Sequence, residues 1–284
     1  MNILELLKFK GLNVDEKIKM IRHQQQNDDL YDIYRRNPND FEIYQSFQGK
    51  PVLNCKYLVS FIGRPHGHAM FVGVYRVDDV KPISEVTIPA DYPYPGLIPE
   101  AGYWYELVKC DGYNDLIDRV VIAWGPSERS WHQWLTEKKE KEVVEILPSG
   151  SVEHFPGFLK LTMDFYGLKK MIENPIPNRE WHQLLKSVAG VYLILDTATG
   201  MQYVGSAYGI DGILGRWRSY AETGGHGGNV RLKQLVESND DYPGKFKFSI
   251  LHTLPVSITK NEAIEWENLF KEKLGTRASG LNIN

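Results

Sequence analysis

Cysteine is scarce. Cys55 and Cys110 are the only two in 284 residues, and their separation matches no paired-ligand spacing, so a disulfide framework and a cysteine-based zinc site are both excluded. There is no run of about 18 apolar residues, so no membrane-spanning helix and no membrane partner are expected. Residues 1–17 carry charge too early and too evenly for a secretory leader. With reduced thiols as the default, these absences set the expectation of a cytoplasmic protein. Basic charge is not in excess either: 33 Lys and Arg face 36 Asp and Glu, a net charge of -3, so no global field attracts nucleic acid.

What is present is a chain with 42% apolar and 24% charged residues, enough to bury a core and, at its length, to form two domains. Its charge is uneven. From residue 178 onward 12 basic residues meet 11 acidic ones, whereas the preceding part has 21 against 25. A nucleic-acid site in the second part must therefore be a local patch.

Residues 1–40 read as helical and polar, with Ile3, Leu6 and Leu7 at one helical spacing and Val14, Ile18 and Ile21 at another. Residues 56–62 and 69–77 are apolar, aromatic and β-branched runs separated by a turn-rich link, the pattern of a hairpin. Further strands are expected at 85–88, 103–108, 119–124 and 141–147, giving a small sheet or barrel. Residues 159–173 read as a helix. Pro175 and Pro177 mark a linker, which divides the chain into a β-rich, barrel-like domain with a helical arm, 1–177, and a second domain, 178–284. The expected class is α+β. From Gly190 the order is strand, turn, strand, helix, helix, strand, helix. The last helix opens on Thr259 with Glu262 three residues later, a capping-box spacing, and stops at Gly275.

Chemistry-bearing residues concentrate in the second domain. Gly190-Val191-Tyr192 opens one strand of a hairpin and Tyr203-Val204-Gly205 lies on the other, so two phenols can approach across the pair. On the next helix Arg216 and Tyr220 are four apart and share a face, and a guanidinium there can grip a phosphate in a bidentate way. On the last helix Ala263, Ile264, Phe270 and Leu274 form an apolar stripe that contains Glu267. A carboxylate on an inward face is costly unless it pairs with a basic group such as an arginine or binds a cation.

Taken in order, Gly190-Val191-Tyr192, Tyr203-Val204-Gly205, Arg216 with Tyr220, Glu267 and Asn282 resemble the motif series of the GIY-YIG nuclease superfamily. The resemblance covers roughly residues 186–284 and leaves out the first two thirds. It implies a small mixed sheet flanked by helices and a metal-dependent endonuclease that hydrolyses DNA phosphodiester bonds with Mg²⁺ or Mn²⁺. It also implies roles. Tyr192 is the general base near the attacking water. Tyr203 orients water or phosphate. Arg216, assisted by Tyr220, holds the scissile phosphate. Glu267 binds the metal, and Asn282 positions the C-terminal element. Some relatives place a lysine after the second motif; here Ser206 and Ala207 stand there, so no cation comes from that position. His226, within Gly224 to Asn229, is a further candidate base or phosphate ligand.

His66 and His68 are neighbours, but no Cys or carboxylate spacing accompanies them, so zinc is not expected. The run from Phe71 to Gly73 loosely resembles PUA-like barrels, and the surrounding aromatics, among them Tyr103, Trp104, Tyr105, Trp124, Trp131 and Trp134, suit a reader of flipped or modified bases. Joined to a nuclease, such a reader implies restriction of foreign or modified DNA, or DNA repair. The rival expectation is a nucleic-acid-binding protein that keeps the scaffold and cuts nothing.

Overall fold

The computed structural model describes residues 1–24, 30–125, 131–137, 141–239 and 241–282. The class is α+β, and the chain divides into two compact units, Met1–Ser149 and Gly150–Asn284.

The first unit contains α1 (Ile3–Phe9), β1 (Ile18–His23), α2 (Leu30–Arg36), α3 (Pro38–Ser46), β2 (Phe47–Gln48), β3 (Tyr57–Arg64), β4 (His68–Pro82), β5 (Tyr103–Lys109), β6 (Val120–Ala123), β7 (His132–Trp134) and β8 (Val143–Ile146). The strands run in the order β2-β5-β4-β3-β1-β7, with β6 pairing to β4 and β8, and the sheet curls into a half-barrel. The expected hairpin is β3 with β4, antiparallel from Tyr57 opposite Arg76 to Arg64 opposite His68.

Two expectations fail here. Ile18 and Ile21 lie in a strand, not a helix: β1 pairs parallel to β3 and antiparallel to β7, and all six of its residues are buried. Buried on both faces, β1 shows no polar alternation. Its buried Lys19 is accommodated by donating to the Val52 carbonyl at 2.5 Å and lying 4.4 Å over the Trp134 ring. Residues 85–88 form no strand; Ile83–Glu85 is a 3₁₀ turn followed by loop. In the aromatic stretch Trp124 and Tyr105 are core residues, at 2% and 3% exposure, with Trp124 packed 5.9 Å from Phe61.

The second unit contains β9 (Thr162–Asp164), α4 (Phe165–Glu173), α5 (Arg179–Lys186), β10 (Val188–Asp196), β11 (Gln202–Ala207), α6 (Gly212–Glu222), α7 (Val230–Ser238), β12 (Phe246–Pro255), α8 (Lys260–Leu274) and α9 (Thr276–Ser279). Its sheet has the order β11-β10-β12-β9, and every pairing is antiparallel. Mixed pairing thus belongs to the first unit's sheet rather than to this one. The expected helix over 159–173 is a 3₁₀ turn, then β9, then α4. The Asp164 side chain accepts from the Gly167 N–H at 2.7 Å and starts α4 only at Phe165, leaving 162–164 free to pair with β12.

Residues 150–177 therefore pack with the second unit, ahead of the linker expected near 177. Phe165, Leu168 and Met171 of α4 join Trp181, Ile194, Trp217 and Phe248 in one core. Asn178 lies at the start of α5, but its side chain does not cap that helix: it accepts from Val152 N–H and donates to the Gly150 and Asn174 carbonyls. The last helix is as expected. Thr259 and Glu262 form the capping box, and Gly275 adopts the left-handed conformation that ends α8.

Among the described residues no helix is long and apolar enough to cross a membrane.

Candidate active site

The hairpin of β10 and β11 sets the first phenol. Tyr192 sits opposite Gly205, and a side chain at 205 would collide with the Tyr192 phenol ring and oxygen, so Gly205 is what lets that ring lie across β11. A bulge between Val191 and Tyr192 on the β12 side shifts the register at the same residue, a device that re-aims a side chain near functional sites. Tyr203 lies opposite Ile194, and its ring centre is 6.5 Å from that of Tyr192.

Helix α6 packs on this sheet through the fully buried Trp217. Arg216 and Tyr220, one turn apart, meet Tyr192 in a closed set of hydrogen bonds. Tyr192 Oη lies 2.9 Å from Tyr220 Oη, and Arg216 donates from Nε to Tyr192 at 3.1 Å and from Nη2 to Tyr220 at 3.2 Å. Arg216 Nη1 donates to the Gly227 carbonyl at 2.8 Å, and the guanidinium stacks 4.8 Å over the Tyr220 ring. Gly227, at φ 52°, packs against that ring where a side chain would clash.

The electrostatics follow from burial. Tyr192 and Tyr220 are fully buried, and desolvation pushes both phenols well above their ordinary range, against the pull of the nearby guanidinium. Burial works against the charge of Arg216, but the phenol oxygens of Tyr192 and Tyr220 outweigh it, and the guanidinium stays charged. Tyr192 therefore keeps its proton at neutral pH, the reverse of what a resting general base needs.

Glu267 is 16% exposed on α8. Its Oε1 is 2.7 Å from Lys271 Nζ, one turn further on, and its Oε2 accepts from Ser206 Oγ at 2.5 Å. Ala263 and Lys271 are the buried residues of α8, while Leu274 is exposed, so the inward face runs Ala263-Glu267-Lys271. Lys271 of α8 thus sets an ammonium beside Glu267. Sequence reasoning passed over Lys271 and named Ser206 only as a residue that brings no cation; the spacing of four from Glu267 to Lys271 was the available signal.

Tyr192, Tyr203, Arg216 and Glu267 line one cleft of about 910 Å³, together with Ser206, Asp211 and Lys271. Tyr220 does not line it but is hydrogen-bonded to Tyr192 and Arg216, which do. Two expected residues lie elsewhere. Asn282 is buried and binds the backbone of β11, accepting from Val204 N–H at 2.9 Å and donating to Val204 C=O at 2.8 Å. His226 does not line the cleft; its Nδ1 accepts from Gly228 N–H at 3.0 Å, which shapes the loop that presents the Gly227 carbonyl to Arg216.

Among the described residues no three His, Cys, Asp or Glu side chains gather. One carboxylate with an adjacent hydroxyl, opening on a roomy cleft, fits a hard cation that keeps most of its waters, the usual way Mg²⁺ is held. It does not fit a caged structural metal.

No family profile matches the chain, and no curated protein does. Solved structures similar to it include the catalytic domain of the intron endonuclease I-TevI in a mutant form, at 28% identity over 34% of this chain and 94% of that one, with a TM-score of 0.28. The catalytic domain of the homing endonuclease I-TevI is similar at 29% identity over 34% of this chain and 98% of that one, with a TM-score of 0.27.

Proposed function

We propose that the second unit is a divalent-metal-dependent endonuclease that hydrolyses DNA phosphodiester bonds. The observation that carries this reading is the convergence of Tyr192, Tyr203, Arg216 and Glu267 on one cleft. Three of the five N–H donors of Arg216 are committed to the protein, which leaves one on each terminal nitrogen for two oxygens of a phosphate. The phenol of Tyr192 accepts from Arg216 Nε and holds the guanidinium in place; Tyr203, on the neighbouring strand, donates toward water or phosphate in the cleft. Glu267 is the residue that would hold Mg²⁺ or Mn²⁺, which supplies charge stabilisation at the phosphate and leaving oxygen. Asn282 and His226 support the frame from outside the cleft.

In this reading the first unit directs the nuclease to foreign or modified DNA, as in restriction or repair. Trp124 and Tyr105 are too buried to stack on a base, so Tyr103 and Trp131, 36% and 37% exposed, are the aromatics that suit a reader.

A second reading is favoured by two contacts. Both oxygens of Glu267 are already engaged, by Lys271 and Ser206, as in a binding protein that needs no metal. Supercoiled plasmid distinguishes the two. With Mg²⁺ the endonuclease nicks it and with EDTA it does not. Duplex binding by the full chain with no cleavage of plain or modified plasmid, in Mg²⁺ or Mn²⁺, would establish the binder instead.

A further inference from the structure

Glu267 and Lys271 form an enclosed ion pair that faces the candidate cleft: side-chain exposures are 16% and 8%, and the N···O distance is 2.7 Å. Their spacing of one helical turn on α8 fixes the geometry through the backbone. An ammonium is a compact point charge, and it sits against one of the two carboxylate oxygens that a divalent ion would use. The other oxygen is taken by Ser206. A metal and this ammonium cannot share the carboxylate at close range in a poorly screened position without strong repulsion.

We propose that Lys271 occupies the cation position on Glu267 in the resting protein, so that a divalent metal binds there by displacing the ammonium. This rests on the assignment of Glu267 as the metal-holding carboxylate. The displaced ammonium remains on α8 beside the same cleft, where the phosphodiester group of a bound nucleic acid offers it a counter-anion. Phosphate draws the ammonium off Glu267, and the freed carboxylate takes the metal. Lys271 thereby couples metal uptake to the presence of substrate and holds metal affinity down in its absence.

The test is Mn²⁺ binding by the full chain without nucleic acid, read as free Mn²⁺ by electron paramagnetic resonance. Lys271→Met keeps the apolar stem and removes the charge; Lys271→Gln does so with a polar end and serves if the methionine variant does not fold, as judged by circular dichroism. Both variants are expected to bind Mn²⁺ at least about tenfold more tightly than wild type, and adding Glu267→Gln is expected to abolish that binding. Binding in wild type that is equal to or tighter than in the lysine variants overturns the role of Lys271 and leaves the metal site standing. Binding by no protein above the Glu267→Gln background overturns the metal assignment itself, and the inference with it.

Discussion

Arg216 and Tyr192 are joined by a bond that can be removed without touching Glu267. Tyr192→Phe deletes the acceptor of Arg216 Nε and the partner of the Tyr220 hydroxyl, leaving buried polar groups unmatched, which costs about 1–3 kcal/mol. The burial that pushes the Tyr192 phenol up also predicts how the variant behaves with pH. A phenol that does not titrate near neutrality contributes no limb there: Tyr192→Phe is expected to lower cleavage by about a hundredfold, the low end of losses for one stabilising group, and to leave the shape of the pH–rate profile between pH 6 and 9 unchanged. A limb that vanishes in the variant would return Tyr192 to the role of general base.

The same residues show what sequence could reveal at this scale. The acid on an inward helical face stands out by type and spacing; the two phenols and the guanidinium stand out only because their order resembles the GIY-YIG series. Lys271 did not, because a lysine one turn past a glutamate is most often a solvated surface pair. Only the packing of α8 turns it inward. His226 was conspicuous for the opposite reason: a histidine among glycines draws attention, but its ring nitrogen stabilises the turn that aims the Gly227 carbonyl.

Among the elements, β11 is the edge strand of its sheet and carries Tyr203, Gly205 and Ser206. The amide of Asn282 pairs with both backbone groups of Val204, and Leu281 N–H donates to Gln202 C=O at 2.8 Å, so the chain's last described residues cover that edge. Asn282→Ala leaves both Val204 groups orphaned and is expected to destabilise the protein by about 2 kcal/mol or more, read as a lowered denaturant midpoint with an unchanged slope. A cost below about 0.5 kcal/mol, the scale of an ordinary surface change, would contradict this.

Elements whose period matched their burial were legible: the β3–β4 hairpin, the β10–β11 hairpin, and α8 with its capping box and terminal glycine. β1 was misread because a strand buried on both faces loses the two-residue alternation, and Ile18 and Ile21 also fit a helical spacing. β9 was hidden inside an apparent helix because three residues cannot declare a period, and its pairing with β12 is non-local.

At the scale of the whole molecule, the boundary after Ser149 makes a prediction that the linker prolines do not. A fragment of residues 150–284 keeps β9 and α4, whose Phe165, Leu168 and Met171 are buried, and it is expected to unfold cooperatively. A fragment beginning at 178 loses those side chains, several kilocalories per mole of burial at roughly 1.5–3 kcal/mol each, and is expected to lack a cooperative transition. Equal cooperativity in the two fragments would place the boundary back at the prolines.

The first unit gives the protein an acid-sensitive stability. His23 is buried against Phe41, and burial lowers its affinity for a proton to about 3, from an ordinary value near 6.5. As pH falls below 6.5 the unfolded chain takes up a proton that the folded chain refuses, so stability is full above that value and is lost as pH drops toward 3. Between pH 7.5 and 5 the loss attributable to His23 is about 2 kcal/mol. His23→Leu is expected to flatten that limb of a melting-temperature profile, and an unchanged slope would show that the imidazole does not carry it.

In the proposed reading Arg216 and Glu267 act on one phosphate. A double-mutant cycle on single-turnover plasmid cleavage in Mg²⁺ tests it most directly. Arg216→Ala and Glu267→Gln are each expected to slow cleavage by at least about a hundredfold, and the double variant to be little slower than the worse single one, as for groups that act as a unit. Losses that multiply in the double variant, or single variants that cut at the wild-type rate, would contradict it.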